Sequence, residues 1–148
     1  MERNTRQRDA VLDAIEHAGA ALVPAEILRL AQAKVASLNL STIYRHLNAL
    51  QDEARIQKVL LPGQPPRFEA ACADQGHAHD DHHHHHHFHC DACDRVVALH
   101  ACPGSMQDMA PAGFVVNAHQ ITLRGVCAAC SAASSAAGPA ASRGRAPR

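Results

Sequence analysis

Two CxxC pairs, Cys90/Cys93 and Cys127/Cys130, constrain this chain more than any other feature. Four thiolates around one ion form a closed tetrahedral zinc site, which leaves no open position for a substrate and is therefore structural. Such a site contributes on the order of 10 kcal/mol to the folding of small zinc domains. The alternative, a pair of redox-active dithiols, is less favoured because thioredoxin-like motifs normally occur once, where a strand opens into a helix.

A histidine run, His82–His87, leads directly into the first CxxC pair. If the run is extended, its odd-numbered histidines face one ion and its even-numbered histidines face another, because alternate side chains of a strand point to the same side. Imidazole binds zinc, copper, iron and nickel, so the run does not identify the metal. Two alternatives stay open: an internal purification tag, and a segment that only buffers metal in solution.

The N-terminal half of the sequence predicts three helices. Apolar residues recur at helical spacing in residues 6–17, 24–34 and 42–54. We expect Thr5 to cap the first helix and Ser41 the third, while the second opens on a proline in its first turn. Residues 1–4 are expected to be frayed.

A hairpin is predicted after these helices. Residues 55–61 and 67–71 have strand character, and the segment between them is rich in proline and glycine. Three helices followed by a hairpin is the order of a winged helix-turn-helix. A small helical bundle with solvated polar faces fits the helix pattern equally well.

The third helix has two distinct faces. Ile43, Leu47 and Leu50 recur at i, i+4 and i+7 and are expected to point inward. Away from this stripe lie polar side chains of the kind that contact phosphates and base edges. These are Thr42, Tyr44, Arg45 and Asn48.

The composition changes after residue 71. Residues 72–81 are small, polar and acidic, which indicates a domain boundary. Beyond the histidine run, residues 96–99 and 114–123 have strand character, and residues 103–109 predict one short helix. A small α/β or β-rich unit with cysteines at both ends fits this pattern. Residues 131–148 are rich in Ala, Ser, Gly, Pro and Arg, and we expect a mobile tail.

Charge and hydropathy bound the function classes. The formal net charge is +0 with neutral histidine, so any basic surface depends on local arrangement. No apolar run approaches the roughly 18 residues of a membrane span, and the first ten residues are polar, so we expect a cytoplasmic protein without a membrane partner. In that reducing compartment, we expect CxxC pairs to be metal ligands or redox groups in preference to structural disulfides.

Taken together, the motifs resemble the ferric uptake regulator (Fur) family of metal-dependent transcriptional repressors. The resemblance covers roughly residues 5–130 and rests on six pieces in order: TRQRDAVLDAI, PAEIL, STIYRHLNAL, RFE, HHHHFHCDAC and HQITLRGVCAAC. The closing GVCAAC is also similar to the zinc uptake regulator branch. The resemblance implies an α+β homodimer with three parts: a winged-helix DNA-binding domain (1–71), a His-rich hinge (72–87) and a small α/β metal-binding dimerisation domain (88–130). The tail (131–148), expected to be disordered from its composition, lies outside the resemblance.

The resemblance also implies residue roles. Ser41, Thr42, Tyr44 and Arg45 would contact DNA, and the four cysteines would hold structural zinc. The family's second-domain metal site falls on His84, His86 and His119, with its glutamate aligning near Cys102. The hinge site would draw on Glu69, His85 and His87. The full set of regulatory candidates is Glu69, Cys72, His84, His85, His86, His87, Cys102 and His119.

Three departures from the family pattern affect the choice of metal. Leu22 stands where the family has a hinge histidine, Asp94 stands where glycine usually follows the CxxC pair, and the acidic ligand near Cys102 is missing. A softer donor set that includes thiols and imidazoles suits Zn²⁺ better than Fe²⁺. We therefore expect zinc at the regulatory site.

The sequence thus predicts a zinc-responsive repressor of metal-uptake genes that binds double-stranded operator DNA as a homodimer. The alternatives are an iron-responsive regulator of the same family and a His-rich zinc store or metallochaperone. An enzyme is not expected, because the sequence contains neither an HExxH motif nor a paired-carboxylate arrangement, and metal ions would be its only small ligands.

Overall fold

A computed structural model describes residues 2–71 and 86–136 and confirms the mixed α+β fold. None of the helices in these two ranges is both long and apolar enough to cross a membrane. The elements in chain order are α1 (Glu2–Glu16), α2 (Pro24–Gln32), α3 (Leu40–Asp52), β1 (Ile56–Val59), β2 (Arg67–Ala70), β3 (His86–Cys90), β4 (Val96–Leu99), a 3₁₀ helix (Gln107–Met109), β5 (Thr122–Gly125) and α4 (Ala128–Ala136).

The three N-terminal helices form as predicted, but two of their starts differ. Helix α3 is capped by Asn39, whose side chain accepts a hydrogen bond from the N–H of Thr42 at 2.9 Å. The predicted cap, Ser41, lies inside the first turn because the better-placed Asn39 precedes it. Helix α1 already begins at Glu2, so Thr5 is helical and residues 2–4 continue the helix instead of fraying.

The main hydrophobic core lies between these helices and the hairpin. The apolar stripe of α3 is fully buried, and Phe68 of β2 closes the cluster from the hairpin side. The predicted inward face of α3 is confirmed. The core residues are Ala10, Val11, Ala14, Ile15, Ile27, Ala31, Leu38, Ile43, Leu47, Leu50, Ile56 and Phe68.

Strands β1 and β2 form the predicted antiparallel hairpin, with Val59 opposite Arg67. Leu22, in the connection between α1 and α2, exchanges backbone hydrogen bonds with Phe68 at 2.8 and 2.9 Å. The hairpin is therefore fixed to the helices as the wing of a winged helix-turn-helix.

The second sheet has the strand order β4-β3-β5. Strand β3 contains the last two histidines of the run and the first cysteine of the CxxC pair, and it pairs antiparallel with β4 and parallel with β5. In the parallel register Cys90 lies opposite Gly125, only two residues before Cys127. Gly125 lies beside the Phe88 ring, where a Cβ atom would be 3.4 Å from Cζ, an ordinary van der Waals contact.

Two predicted elements of the C-terminal half are wrong in extent. Of the strand expected at residues 114–123, only Thr122 and Leu123 lie in β5, and Phe114 and Val115 are 65% and 77% exposed. Alternation predicts a strand, but within the described ranges no neighbouring strand pairs with residues 114–120, and pairing begins where the His87 N–H donates to the Ile121 carbonyl at 3.1 Å. The helix expected at 103–109 is reduced to one 3₁₀ turn at 107–109.

Residues 131–136, which were expected to belong to a mobile tail, lie in helix α4. Helix α4 continues through residue 136, because the alanine-rich segment after the second CxxC pair has high helix propensity. The rest of the expected tail, residues 137–148, lies outside the described residues.

The two parts of the fold contact each other directly. Ala21 forms an antiparallel bridge with Val96, and its N–H donates to the Val96 carbonyl at 2.8 Å. These two side chains pack with Val59 and Leu61 in a small second apolar cluster. The start of β4 is thereby attached to the connection between α1 and α2.

Candidate functional site

The four CxxC cysteines come together at one end of the β3–β5 pair. Their Sγ atoms all lie within 4.8 Å of one another, and those of Cys93 and Cys127 are 3.8 Å apart. Cys90 ends β3 and is buried, Cys93 closes the tight turn that follows, and the second pair lies at the start of α4. This is a donor set of four sulfurs, which matches tetrahedral zinc.

The thiols of this cluster differ in acidity. The N–H of Cys127 donates to Cys90 Sγ at 3.3 Å, and together with the N–H of Cys93 it lowers the pKa of Cys90 to about 6. Hydrogen bonding to the Cys127 and Cys93 thiols instead raises the pKa of Cys130 to about 12. The cluster thus has one readily formed thiolate but needs a cation before all four sulfurs can be ionised.

A second donor cluster consists of His86, Cys102 and His119, whose ligand atoms also lie within 4.8 Å of one another. Cys102 Sγ is 3.3 Å from His119 Nε2, and the rings of His86 and His119 stack with centroids 5.0 Å apart. The N–H of Ile121 donates to His86 Nδ1 at 3.1 Å. Three of the predicted regulatory ligands are thus adjacent, while His84 lies outside the described residues.

A third pair of predicted ligands joins the hairpin to the second sheet. His87 Nε2 of β3 lies 3.0 Å from Glu69 Oε1 of β2, and both residues are buried. Gln57 of β1 also donates to Glu69 Oε1, at 2.6 Å. The other ring nitrogen of His87 is buried without a hydrogen-bond partner in the described part of the chain. The further ligands expected here, Cys72 and His85, lie outside the described residues.

The two described histidines of the run therefore contact different groups. His86 belongs to the cluster with Cys102 and His119, whereas its neighbour His87 contacts Glu69. This is the arrangement that the alternation of an extended segment predicts.

One charged network was not predicted from the sequence. The Arg67 guanidinium contacts the carboxylate of Asp94, the residue that follows Cys93, and it also lies 3.5 Å from the Ala21 carbonyl and 3.9 Å from Glu26 Oε2. His89 Nε2 is 2.6 Å from the other Asp94 oxygen. The His89 hydrogen bond, with further stabilisation from Arg67, lowers the pKa of Asp94. The unusual residue at position 94 was a sequence signal, but its partners come from distant elements.

The outer face of α3 is available to a partner. Tyr44 is 48% exposed, Ser41 and Arg45 are exposed, and Thr42 is half-buried with its N–H bonded to Asn39. On the opposite face, burial lowers the pKa of His46, and the charges of Arg45 and Arg8 act in the same direction. The face predicted to read DNA is thus the solvent face of a helix whose other side is fixed in the core.

Comparison with known proteins gives consistent matches. The model of the ferric uptake regulator family matches residues 2–124. The chain is 25% identical over 133 residues to the peroxide operon regulator of Bacillus subtilis strain 168, covering 87% of this chain and 84% of that protein.

Two solved structures show the same fold. The Helicobacter pylori ferric uptake regulator, described as having three functional metal-binding sites, is 23% identical with a TM-score of 0.59 and covers 84% of this chain and 79% of that chain. A zinc uptake regulator complexed with zinc and DNA is also 23% identical with a TM-score of 0.59, and the match covers 87% of this chain and 83% of that chain.

Proposed function

We propose that this chain, which belongs to the ferric uptake regulator family of metal-responsive transcription regulators, is a zinc-responsive, DNA-binding repressor of metal-uptake genes. The observation that carries the proposal is the 3.0 Å contact between Glu69 of the wing and His87 of β3. A carboxylate and an imidazole at this distance, on elements from the two halves of the chain, can respond to an ion by fixing those halves relative to each other.

Two kinds of metal site are proposed. Cys90, Cys93, Cys127 and Cys130 would hold a structural Zn²⁺, supported by the mutual distances of their sulfurs. Glu69 and His87, together with the predicted ligands Cys72 and His85, would form the regulatory hinge site. His86, Cys102 and His119, with the predicted ligand His84, would form a further site, at which the thiol favours Zn²⁺ over Fe²⁺. Iron responsiveness stays the alternative.

DNA binding is assigned to the outer face of α3. Tyr44 and Arg45 are exposed and carry an aromatic hydroxyl and a guanidinium, while Ser41 and Thr42 lie at the same helix N-terminus. Hydroxyls and guanidinium groups there can contact phosphates and base edges. A winged helix reads one half-site, so two copies of the chain would bind a pseudo-palindromic operator as a homodimer in the cytoplasm.

The proposed mechanism is a population shift between arrangements of the halves. Residues 1–71 would form the DNA-binding domain, 72–87 the hinge and 88–130 the dimerisation domain. When Glu69 and His87 share an ion, the two reading helices of a dimer would be held at one separation. Moving the population from 1:99 to 99:1 requires about 5.5 kcal/mol of differential metal affinity.

DNA binding with and without zinc tests the proposal. A duplex would be selected from a randomised pool in the presence of zinc, and its binding measured before and after removal of weakly held metal, with the structural ion verified by native mass spectrometry. We expect zinc to increase the affinity. Equal affinity in both states would refute the sensor function, and a response to Fe²⁺ alone would favour the iron alternative.

The DNA-contacting face is tested with matched arginine variants. Arg45→Ala should weaken binding and reduce the slope of log affinity against log salt by roughly one, as expected for the loss of one phosphate contact. Arg124→Ala removes the same charge from an exposed position in β5 and should leave the slope unchanged. An unaltered slope for Arg45→Ala would remove this residue from the phosphate contacts.

A further inference from the structure

Asp94 has a backbone conformation that favours glycine. Its φ is +60°, and the only other non-glycine residue with positive φ in the described ranges is Ala54. The Asp94 N–H donates to the Cys90 carbonyl at 2.9 Å, which closes the turn of the first CxxC pair. A glycine would form this turn without strain, so the turn itself gives no reason for an aspartate.

The Asp94 carboxylate has partners in two different strands. One oxygen contacts the guanidinium of Arg67 in β2, and the other lies 2.6 Å from His89 Nε2 in β3. Arg67 is only 2% exposed, and a buried charge needs a close counter-charge. Its other carboxylate neighbour, Glu26, is 3.9 Å away, so Asp94 is the principal counter-ion.

The same strands carry the ligand pair of the proposed hinge site. Arg67 and Glu69 alternate on β2, and His87 and His89 alternate on β3, so each pair projects to one side of its strand. These two sides face each other through two contacts: Glu69 with His87, and Arg67 with His89 through Asp94. The contact of Arg67 with His89 through Asp94 contains no proposed regulatory ligand. It joins the two strands that carry the ligands Glu69 and His87.

We infer that Asp94 is a positioning residue for the regulatory metal: through Arg67 and His89 it holds β2 against β3, so that Glu69 and His87 are adjacent in a larger fraction of the metal-free molecules. The inference rests on the proposed function, because it takes Glu69 and His87 as regulatory ligands. A site that is competent in only a fraction of molecules has an apparent affinity lowered by that fraction. Asp94 would therefore set the zinc concentration at which the protein responds.

The decisive variant is Asp94→Gly, which removes the carboxylate while glycine keeps the turn at φ +60° unstrained. Zinc affinity would be measured on full-length protein with its structural ion retained, by competition with a chromophoric chelator. We expect the zinc at the hinge site of Glu69 and His87 to bind roughly tenfold more weakly, the scale of one hydrogen bond to a charged group. Asp94→Asn, which keeps the side-chain shape, should weaken binding less.

Two further variants separate positioning from damage to the cysteine turn. Arg67 lies outside that turn, and Arg67→Gln should lower the zinc affinity of the hinge site in the same way. Asp91→Asn is the matched control, because Asp91 belongs to the same turn but pairs with Arg124 of β5 at 2.6 Å, and it should bind zinc like the wild type. At saturating zinc, the Asp94→Gly protein should recover wild-type DNA affinity, since its zinc midpoint has moved but its DNA contacts have not.

Wild-type zinc affinity in both Asp94→Gly and Arg67→Gln would overturn the inference. So would a loss of DNA affinity that saturating zinc does not restore. If the wild-type protein binds no zinc beyond the structural ion, the proposed function is refuted. If the wild type binds zinc at the hinge site and these variants leave that affinity unchanged, only the role of Asp94 is refuted.

Discussion

Removing the ion from the four cysteines should unfold residues 86–136 and leave the N-terminal helices folded. Among the described residues of this segment, only Cys90 and Val96 are buried apolar side chains. Full burial of a side chain such as Val96 contributes about 1.5–3 kcal/mol, and Cys90 is itself one of the proposed zinc ligands. A four-thiolate zinc contributes on the order of 10 kcal/mol, so the ion stabilises this segment more than its apolar side chains do. The helices have their own apolar core and do not depend on the ion.

Amide hydrogen exchange followed by mass spectrometry measures the protection of the backbone amides separately in each helix and strand. After chelation under reducing conditions, or in Cys127→Ser, protection should be lost in β3, β4 and β5 and kept in α1–α3. Cys102→Ser is the matched control, because this cysteine lies outside the four-cysteine cluster, and with only the structural zinc loaded its β3–β5 protection should persist. Full protection of β3 and β5 after verified loss of zinc would show that the sheet folds without the ion, contrary to this prediction.

Three further predictions concern the core and the second donor cluster. Leu47→Ala at a fully buried position should lower the free energy of unfolding by about 2–5 kcal/mol in urea titrations, whereas Leu60→Ala, at a 59% exposed position, should change it by less than about 0.5 kcal/mol. In the folded protein the pKa of His46 lies below its ordinary 6.5, so the unfolded chain binds more protons. The free energy of unfolding should therefore fall as the pH drops below 6.5, and His46→Leu should flatten this dependence between about pH 7 and 5. With the structural zinc retained, Co²⁺ should give thiolate-to-cobalt charge-transfer absorption that Cys102→Ser weakens, and unchanged absorption would exclude this thiol as a ligand.

Local sequence signals predicted the elements whose formation depends on neighbouring residues. The three helices follow from apolar spacing and from Pro24, and the hairpin follows from two short β-prone segments around a Pro/Gly-rich turn. The N-cap of α3 was misplaced because Asn39 and Ser41 are both good capping residues. The strand predicted at residues 114–120 does not form, because alternation indicates only a strand-like pattern and a strand also requires a pairing partner.

In the candidate sites, too, local patterns were predictable from the sequence and tertiary contacts were not. Spacing predicted the group of four cysteines, and alternation predicted that neighbouring histidines of the run contact different groups. The contact of Arg67 with Asp94 joins a wing strand to a cysteine turn, and no local pattern in either segment specifies the other. Tertiary contacts between charged side chains of this kind become visible only once the fold places the strands together.

Metal control of DNA binding is tested most sharply by the zinc affinity of the hinge with and without bound DNA, because coupling between two ligands is reciprocal. The selected duplex should tighten zinc binding by the same factor by which zinc tightens binding of the duplex, and Glu69→Gln should reduce both factors together. Identical zinc affinity in the presence and absence of the duplex would contradict the proposal that an ion shared by Glu69 and His87 fixes the DNA-binding arrangement.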